Sequence, residues 1–130
     1  MIFETERLCA RELTGSDLPA LAAILRDETA MVAYEGAFSA QEVAEWLETQ
    51  RGRYRGDGFG LGAVVHKESG GVIGQCGLTL QDYEGTRVPE SGYLFNREWW
   101  GQGYATEAAR GCKEYAFDVL DLPAVYSIVR

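Results

Sequence analysis

The apolar pattern of this chain changes period between residues 89 and 120, and that change limits the folds open to it. "PESGYLFN", residues 89–96, alternates as a strand does. Residues 104–120 instead set Ala105, Ala108, Ala109, Cys112, Ala116, Val119 and Leu120 on one face of a helix. Between the two lies "REWWGQG", with Gly101 and Gly103. After the helix, "DLPAVYSIVR" reads as a short link and a final strand. Strand, helix and strand in that order make a parallel crossover, expected to be right-handed.

Upstream, residues 5–13 ("TERLCAREL") alternate enough for a strand. Ser16 then offers an N-cap, and Leu18, Leu21, Ala22 and Leu25 recur at helical spacing, which predicts a first helix over 16–27. Ser39 with Glu42 three residues later forms a capping box. It opens a second helix with Val43, Trp46, Leu47 and Tyr54 on its apolar stripe. The loop between these helices, "ETAMVAYEGAF", is rich in exposed-looking aromatics. "FGLGAVVHK" and "GVIGQCGLTLQ" flank the hairpin turn "ESGG", and "DYEGTRV" makes a looser turn into residues 89–96. No repeat, low-complexity tract or linker interrupts the chain, so residues 1–130 are expected to form one domain. The expected class is α/β (α+β): a mixed, mostly antiparallel sheet flanked by helices.

Composition narrows the function classes. No apolar run is long enough for a transmembrane helix, and "MIFETERL" lacks the layout of a secretory signal. The net charge of −8 disfavours nucleic acid and anionic membranes as partners. It mildly favours a cationic acceptor, or serves solubility alone. Cys9, Cys76 and Cys112 are odd in number and widely spaced, which argues against zinc and redox motifs and fits reduced thiols in the cytoplasm. Cys76 and Cys112 read as core. His66, the lone histidine, argues against a histidine-based metal site or a Ser-His-Asp triad, and reads as a surface residue by the hairpin turn. No metal is expected.

Glycines between a strand and a helix have two readings. They form a tight turn, or they let a phosphate approach the free N–H groups of the helix's first turn. No P-loop lysine follows, and a dinucleotide fingerprint lacks its third glycine. Glu107, in that first turn, would repel phosphate and should face away.

The string "ESGYLFNREWWGQGYATEAARGCKEYAFDVLDLPAVYSIV" resembles the core of the GNAT superfamily of acyl-CoA-dependent N-acetyltransferases. Within it, the chain is most similar to the branch with the ribosomal-protein N-terminal acetyltransferases, which "TERLCARELTGSDLPAL" and "GGVIGQCGL" also match. Trp100 stands where the family signature has Arg or Gln, a departure familiar in this branch. The resemblance implies that backbone amides of Gly101, Gln102, Gly103, Tyr104, Ala105 and Thr106 hold the pyrophosphate of acetyl-CoA. It implies that Tyr93, Leu94 and Phe95 pair through their backbones with the pantetheine arm, where a bulge splays this strand from the next. Trp99 and Trp100 would wall the turn.

Acetyl transfer from a thioester needs a neutral amine, donors for the oxyanion and a proton for the leaving thiolate. Glu90 is the candidate base, directly or through water; the alternative is a solvated strand-end glutamate. Tyr34, Glu35 and Phe38 are candidates to line the acceptor pocket. The acceptor would be a protein N-terminus or a small-molecule amine. Relatives continue past the position of Arg130 with a further helix and strands, so the expectation is a fold lacking its C-terminal part. Either the chain is a fragment, or a second copy completes the sheet as a homodimer, or it is a shortened acyl-CoA-binding module without catalysis.

Overall fold

The threonine at position 5 decides how the chain begins. In the computed structural model, which describes residues 1–34 and 36–127, its hydroxyl accepts the Leu8 N–H at 3.2 Å, and its own N–H reaches the Leu8 carbonyl at 2.8 Å. That tight turn splits the expected first strand into β1 (Phe3–Glu4) and β2 (Leu8–Arg11), which pair antiparallel. The next turn is also set by a side chain. The Asp17 carboxylate accepts the Thr14 N–H at 2.8 Å, and Arg11 grips it with two bonds of 2.8 and 2.9 Å. Thr14, rather than Ser16, is therefore the residue at the helix mouth, and a single 3-10 turn precedes α1 (Leu18–Leu25). The helix starts two residues later and ends two residues earlier than its apolar pattern suggests. The capping box of Ser39 and Glu42 forms as expected: Glu42 N–H donates to Ser39 Oγ at 3.2 Å, and Ser39 N–H to Glu42 Oε1 at 2.9 Å. It opens α2 (Ala40–Gly56).

From there the chain runs as a meander: β3 (Leu61–His66), β4 (Val72–Tyr83) and β5 (Thr86–Phe95). The five strands lie in sequence order, each antiparallel to the next. A register shift where Val64 and Val65 face Gly74 and Val72 leaves Ile73 as an extra residue on β4. Extra residues of this kind move a side chain to the other face. Ile73 accordingly joins the same core as Cys76 and Leu78, while Val72 packs on the opposite side.

The two faces carry separate cores. Val64, Cys76, Leu78 and Phe95 pack against Ala108, Cys112 and Ala116 of α3 (Tyr104–Asp118). On the other face Ala63 meets Leu21 and Leu25 of α1 with Val43 and Leu47 of α2. Small residues at 108 and 116 are fully buried, which lets α3 lie close to the sheet. The Tyr54 hydroxyl is not apolar filling; it accepts the Leu13 N–H at 3.0 Å and donates to the Leu61 carbonyl, and burial pushes its pKa up to about 12. A hydrogen bond to Cys112, with burial, pushes the Cys76 thiol up, so it stays protonated in the core.

The expected final strand is short in the described residues. Tyr126 makes one parallel bridge to Glu90, with Ser91 N–H to the Tyr126 carbonyl and Tyr126 N–H to the Pro89 carbonyl, each 2.9 Å. The bridge runs in the parallel sense that the crossover predicts, while the five named strands are all antiparallel. Residues 128–130 lie outside the described ones.

Candidate active site

β5 delivers two sets of groups to two places, because an antiparallel pairing alternates them. In such a ladder, successive residues turn their N–H and C=O alternately toward the partner strand and away from it. Ser91 and Pro89 bond to Tyr126 on the outer edge, whereas Asn96 N–H bonds inward to the Ile73 carbonyl at 2.9 Å. The register is unbroken from Tyr83 with Thr86 to Gly74 with Phe95. Tyr93 and Phe95 therefore aim their backbone groups at the outer edge, and Leu94 commits its own to Gln75. The Phe95 carbonyl is already taken by the Trp100 indole N–H at 2.9 Å. Of the three residues expected to offer backbone to a pantetheine arm, Tyr93 offers both groups, Phe95 its N–H, and Leu94 contributes only side chain.

The strand ends in a turn of short-range bonds. Asn96 Oδ1 accepts the Glu98 N–H at 3.0 Å, and Arg97 is tied to Asp27 at 3.0 Å. Gly101 and Gly103 then take φ of 79° and 83°, a left-handed region that costs a side-chain-bearing residue about 1–2 kcal/mol. Gly103 is the N-cap of α3 and has no side chain to satisfy the first-turn amides. Those amides have no partner inside the helix and sit at the positive end of its dipole.

What braces this turn was not foreseen. Arg7 lies with its guanidinium carbon 4.2 Å from the Tyr104 ring centre and donates to the Gln102 carbonyl at 3.1 Å. It also donates from Nε to Glu107 at 2.7 Å and from its backbone at 2.8 Å, while the Thr5 hydroxyl adds a bond of 2.5 Å. Glu107 thus faces β1 and β2, away from the turn, as expected. Burial raises its pKa, but these donors outweigh burial and hold the carboxyl below its ordinary range. His66 is not a surface residue. It is buried, with Nε2 3.1 Å from the Tyr104 hydroxyl, Nδ1 3.0 Å from Ser69 Oγ, and its ring 4.8 Å from that of Trp99. Its neighbours in sequence gave no sign of this, because Trp99 and Tyr104 reach it only through the fold.

Two cavities meet at β5. One, of about 420 Å³, is lined by Tyr93, Leu94, Phe95, Trp99, Trp100, Gly101, Gly103, Tyr104, Ala105 and Thr106. Nine of the candidate cofactor residues were named from the sequence, and eight line this cavity; Gln102 does not, since its carbonyl is turned to Arg7 and its side chain is exposed. The second, of about 190 Å³, lies between β5 and α2, on the sheet face that α2 covers. Its wall includes Tyr34, Trp46, Gln50, Arg53, Thr79 and Glu90. Tyr93 and Leu94 border both cavities. Glu90 is only 4 % exposed, so it is no solvated strand-end residue. Phe38 does not line the pocket; it packs edge-on against Trp46 at 5.6 Å and supports the wall from behind. Glu35 lies outside the described residues. Among those described, no group of three metal-ligating side chains comes together, and no helix is long and apolar enough to cross a membrane.

A family model for the acetyltransferase (GNAT) domain matches residues 7–130. The chain is 36% identical over 115 residues to the uncharacterized protein YkkB of Bacillus subtilis, covering 88% of this chain and 67% of that protein. Among solved structures, an acetyltransferase from Agrobacterium tumefaciens superposes with a TM-score of 0.82 at 28% identity, covering 97% of this chain and 72% of that one. The acetyl transferase of Salmonella typhimurium that modifies the N-terminal serine of a ribosomal protein shares the fold, with a TM-score of 0.66 at 14% identity, over 91% of this chain and 68% of its own. The chain thus spans about two thirds of the length of these three proteins.

Proposed function

Because this chain belongs to the acetyltransferase (GNAT) family, we propose that it moves an acetyl group from acetyl-CoA to an amine by direct transfer, with both substrates bound together. The observation that carries this reading is the shared border of the two cavities at Tyr93 and Leu94. A carrier in the larger cavity and an amine in the smaller would meet there.

The larger cavity fits such a carrier. Its glycine turn exposes first-turn amides, and the one acidic group of that turn is drawn off by Arg7 and Thr5. Acetyl-CoA supplies an activated acyl group, and the protein's part is to hold it and manage protons. The Tyr93 N–H, on the outer edge of β5, is the donor available to an oxyanion near the cavity border. Glu90 takes the amine's proton, directly or through water; an unshifted α-amine has a pKa near ~8 and a lysine-type amine near ~10.4. Tyr34 walls the acceptor side. No nucleophilic cysteine is needed, and Cys76 and Cys112 are buried in the core. The same reading takes residues 1–130 as one domain that works in the cytoplasm on a protein N-terminus or small amine.

The test is thiol release from acetyl-CoA with a panel of amines, alongside calorimetry with coenzyme A. Glu90→Gln should cut kcat by at least about tenfold and alter the pH profile, within the range of general-base contributions. An unchanged profile would refute the base. Coenzyme A binding with no thiol release from any amine would make the chain a binding module instead.

A further inference from the structure

The wall of the acceptor pocket holds an amide donor for which the described residues supply no acceptor. Gln50 of α2 is fully buried. Its Oε1 accepts the Leu61 N–H at 3.0 Å and an Arg53 N–H at 3.2 Å, while its Nε2, like that of Gln75, has no partner among the described residues. A buried amide donor left without a partner is costly, so in a pocket wall it is a place for an oxygen from outside. Arg53 lines the same pocket, three residues on along the helix. Among the described residues no carboxylate lies within ion-pair distance of it, as is true also of Arg26, Arg55, Arg87 and Arg110; what sets Arg53 apart is its place in the pocket wall. Across the pocket, on β5, stands Glu90. The cavity thus has a cation and an amide donor on its helix wall, a carboxylate on its sheet wall, and the aromatic side chains of Trp46 and Tyr34 as apolar filling.

We propose that the acceptor is an α-amino acid or an amine of similar size bearing a carboxylate, with the carboxylate held by Arg53 and Gln50 and the amine facing Glu90. The volume of about 190 Å³ suits one such unit, being below the range of about 300–1,000 Å³ usual for drug-sized ligands. Arginine suits the task because its planar fork matches a carboxylate. The inference rests on the acyl-transfer reading, in that the pocket is the acceptor's.

The experiment compares leucine, serine and phenylalanine with their amides and decarboxylated amines. Binding is measured by calorimetry on the full chain saturated with coenzyme A, and turnover by thiol release. At least one free amino acid should bind about tenfold or more tightly than its amide and its decarboxylated amine, with turnover showing the gap in KM. Arg53→Met should erase that gap. Gln50→Glu keeps the oxygen that Leu61 needs but replaces the donor with a charge, and should weaken amino-acid binding while coenzyme A binding, which reports folding, persists. Amides binding as well as the acids would mean that a peptide terminus is recognised, and equal binding by the decarboxylated amines would mean that no oxygen is; either overturns the proposal, as does binding by none of the nine. A chain that binds amino acids selectively but releases no thiol from any amine would refute acyl transfer and leave the pocket assignment standing.

Discussion

Alanine at Gly101 or Gly103 separates the turn's conformation from its contacts. Both glycines have φ near 80°. The left-handed region costs an L-residue about 1–2 kcal/mol, so each substitution should lower stability by that amount. For a chain of this length that corresponds to a fall in Tm of about 3–7 °C. A Cβ at Gly101 meets nothing within 4 Å, so strain alone acts there; at Gly103 it comes 3.4 Å from Arg7 Nη2 and adds a contact with the bracing guanidinium. That distance is ordinary van der Waals contact with the end of a flexible side chain, so strain should dominate at both and the two variants should lose similar stability. Gly52→Ala is the control. It lies inside α2 with its nearest added contact at 4.0 Å and an ordinary φ, so alanine there should stabilise by about 0.5–1 kcal/mol. The assay is urea unfolding with and without coenzyme A, with calorimetry for the affinity. If the amides of this turn hold a diphosphate, losing one charged hydrogen bond costs about 1.5–3 kcal/mol, so coenzyme A affinity should drop about tenfold or more in the Gly101 and Gly103 variants. It should be unchanged in the Gly52 variant. Stability and affinity at wild-type level in Gly103→Ala would refute both the strain argument and the role of the turn.

Two other perturbations test the frame around the site. The Arg11 guanidinium, with burial opposing it, and the Thr14 donors hold the Asp17 carboxyl below its ordinary range; Asp17→Asn should cost about 1–2 kcal/mol near neutral pH. Because the folded pKa is the lower one, that contribution is complete above the unfolded value of about 3.9 and is lost as pH falls through the folded value. The gap between wild type and variant in urea unfolding should therefore be flat from pH 7 to 5 and close in more acid solution. Tyr104→Phe takes the hydroxyl from His66 Nε2 and should destabilise by about 1–2 kcal/mol; the two proteins unfolding at the same urea concentration would mean that the buried histidine finds another partner.

The glycine turn was legible because its signal is local. A strand's alternation, two glycines and an alanine-striped helix adjoin in sequence, and the angles they impose belong to the backbone itself. The Ser39 and Glu42 cap was legible for the same reason, and so was Glu107 turning away, which follows from the sign of its charge. Ser16 misled because serine is an N-cap by type, whereas the Arg11 and Asp17 pair placed the helix mouth at Thr14.

The sequence by itself determined the order of the main elements and the glycine turn, since these depend on neighbours along the chain. Only the tertiary structure decided that Arg7 braces that turn across 100 residues from Glu107, that His66 is buried under Trp99 and Tyr104, and that Gln50 and Arg53 face Glu90 across one pocket. The physical reason is that a hydrogen bond or a ring contact depends on distance in space, and strand order and register set that distance with no mark in the local pattern. The same alternation that made β5 readable as a strand left open which of its residues face out. The single bridge at Tyr126 settled that, and with it the direction in which Tyr93 presents its backbone.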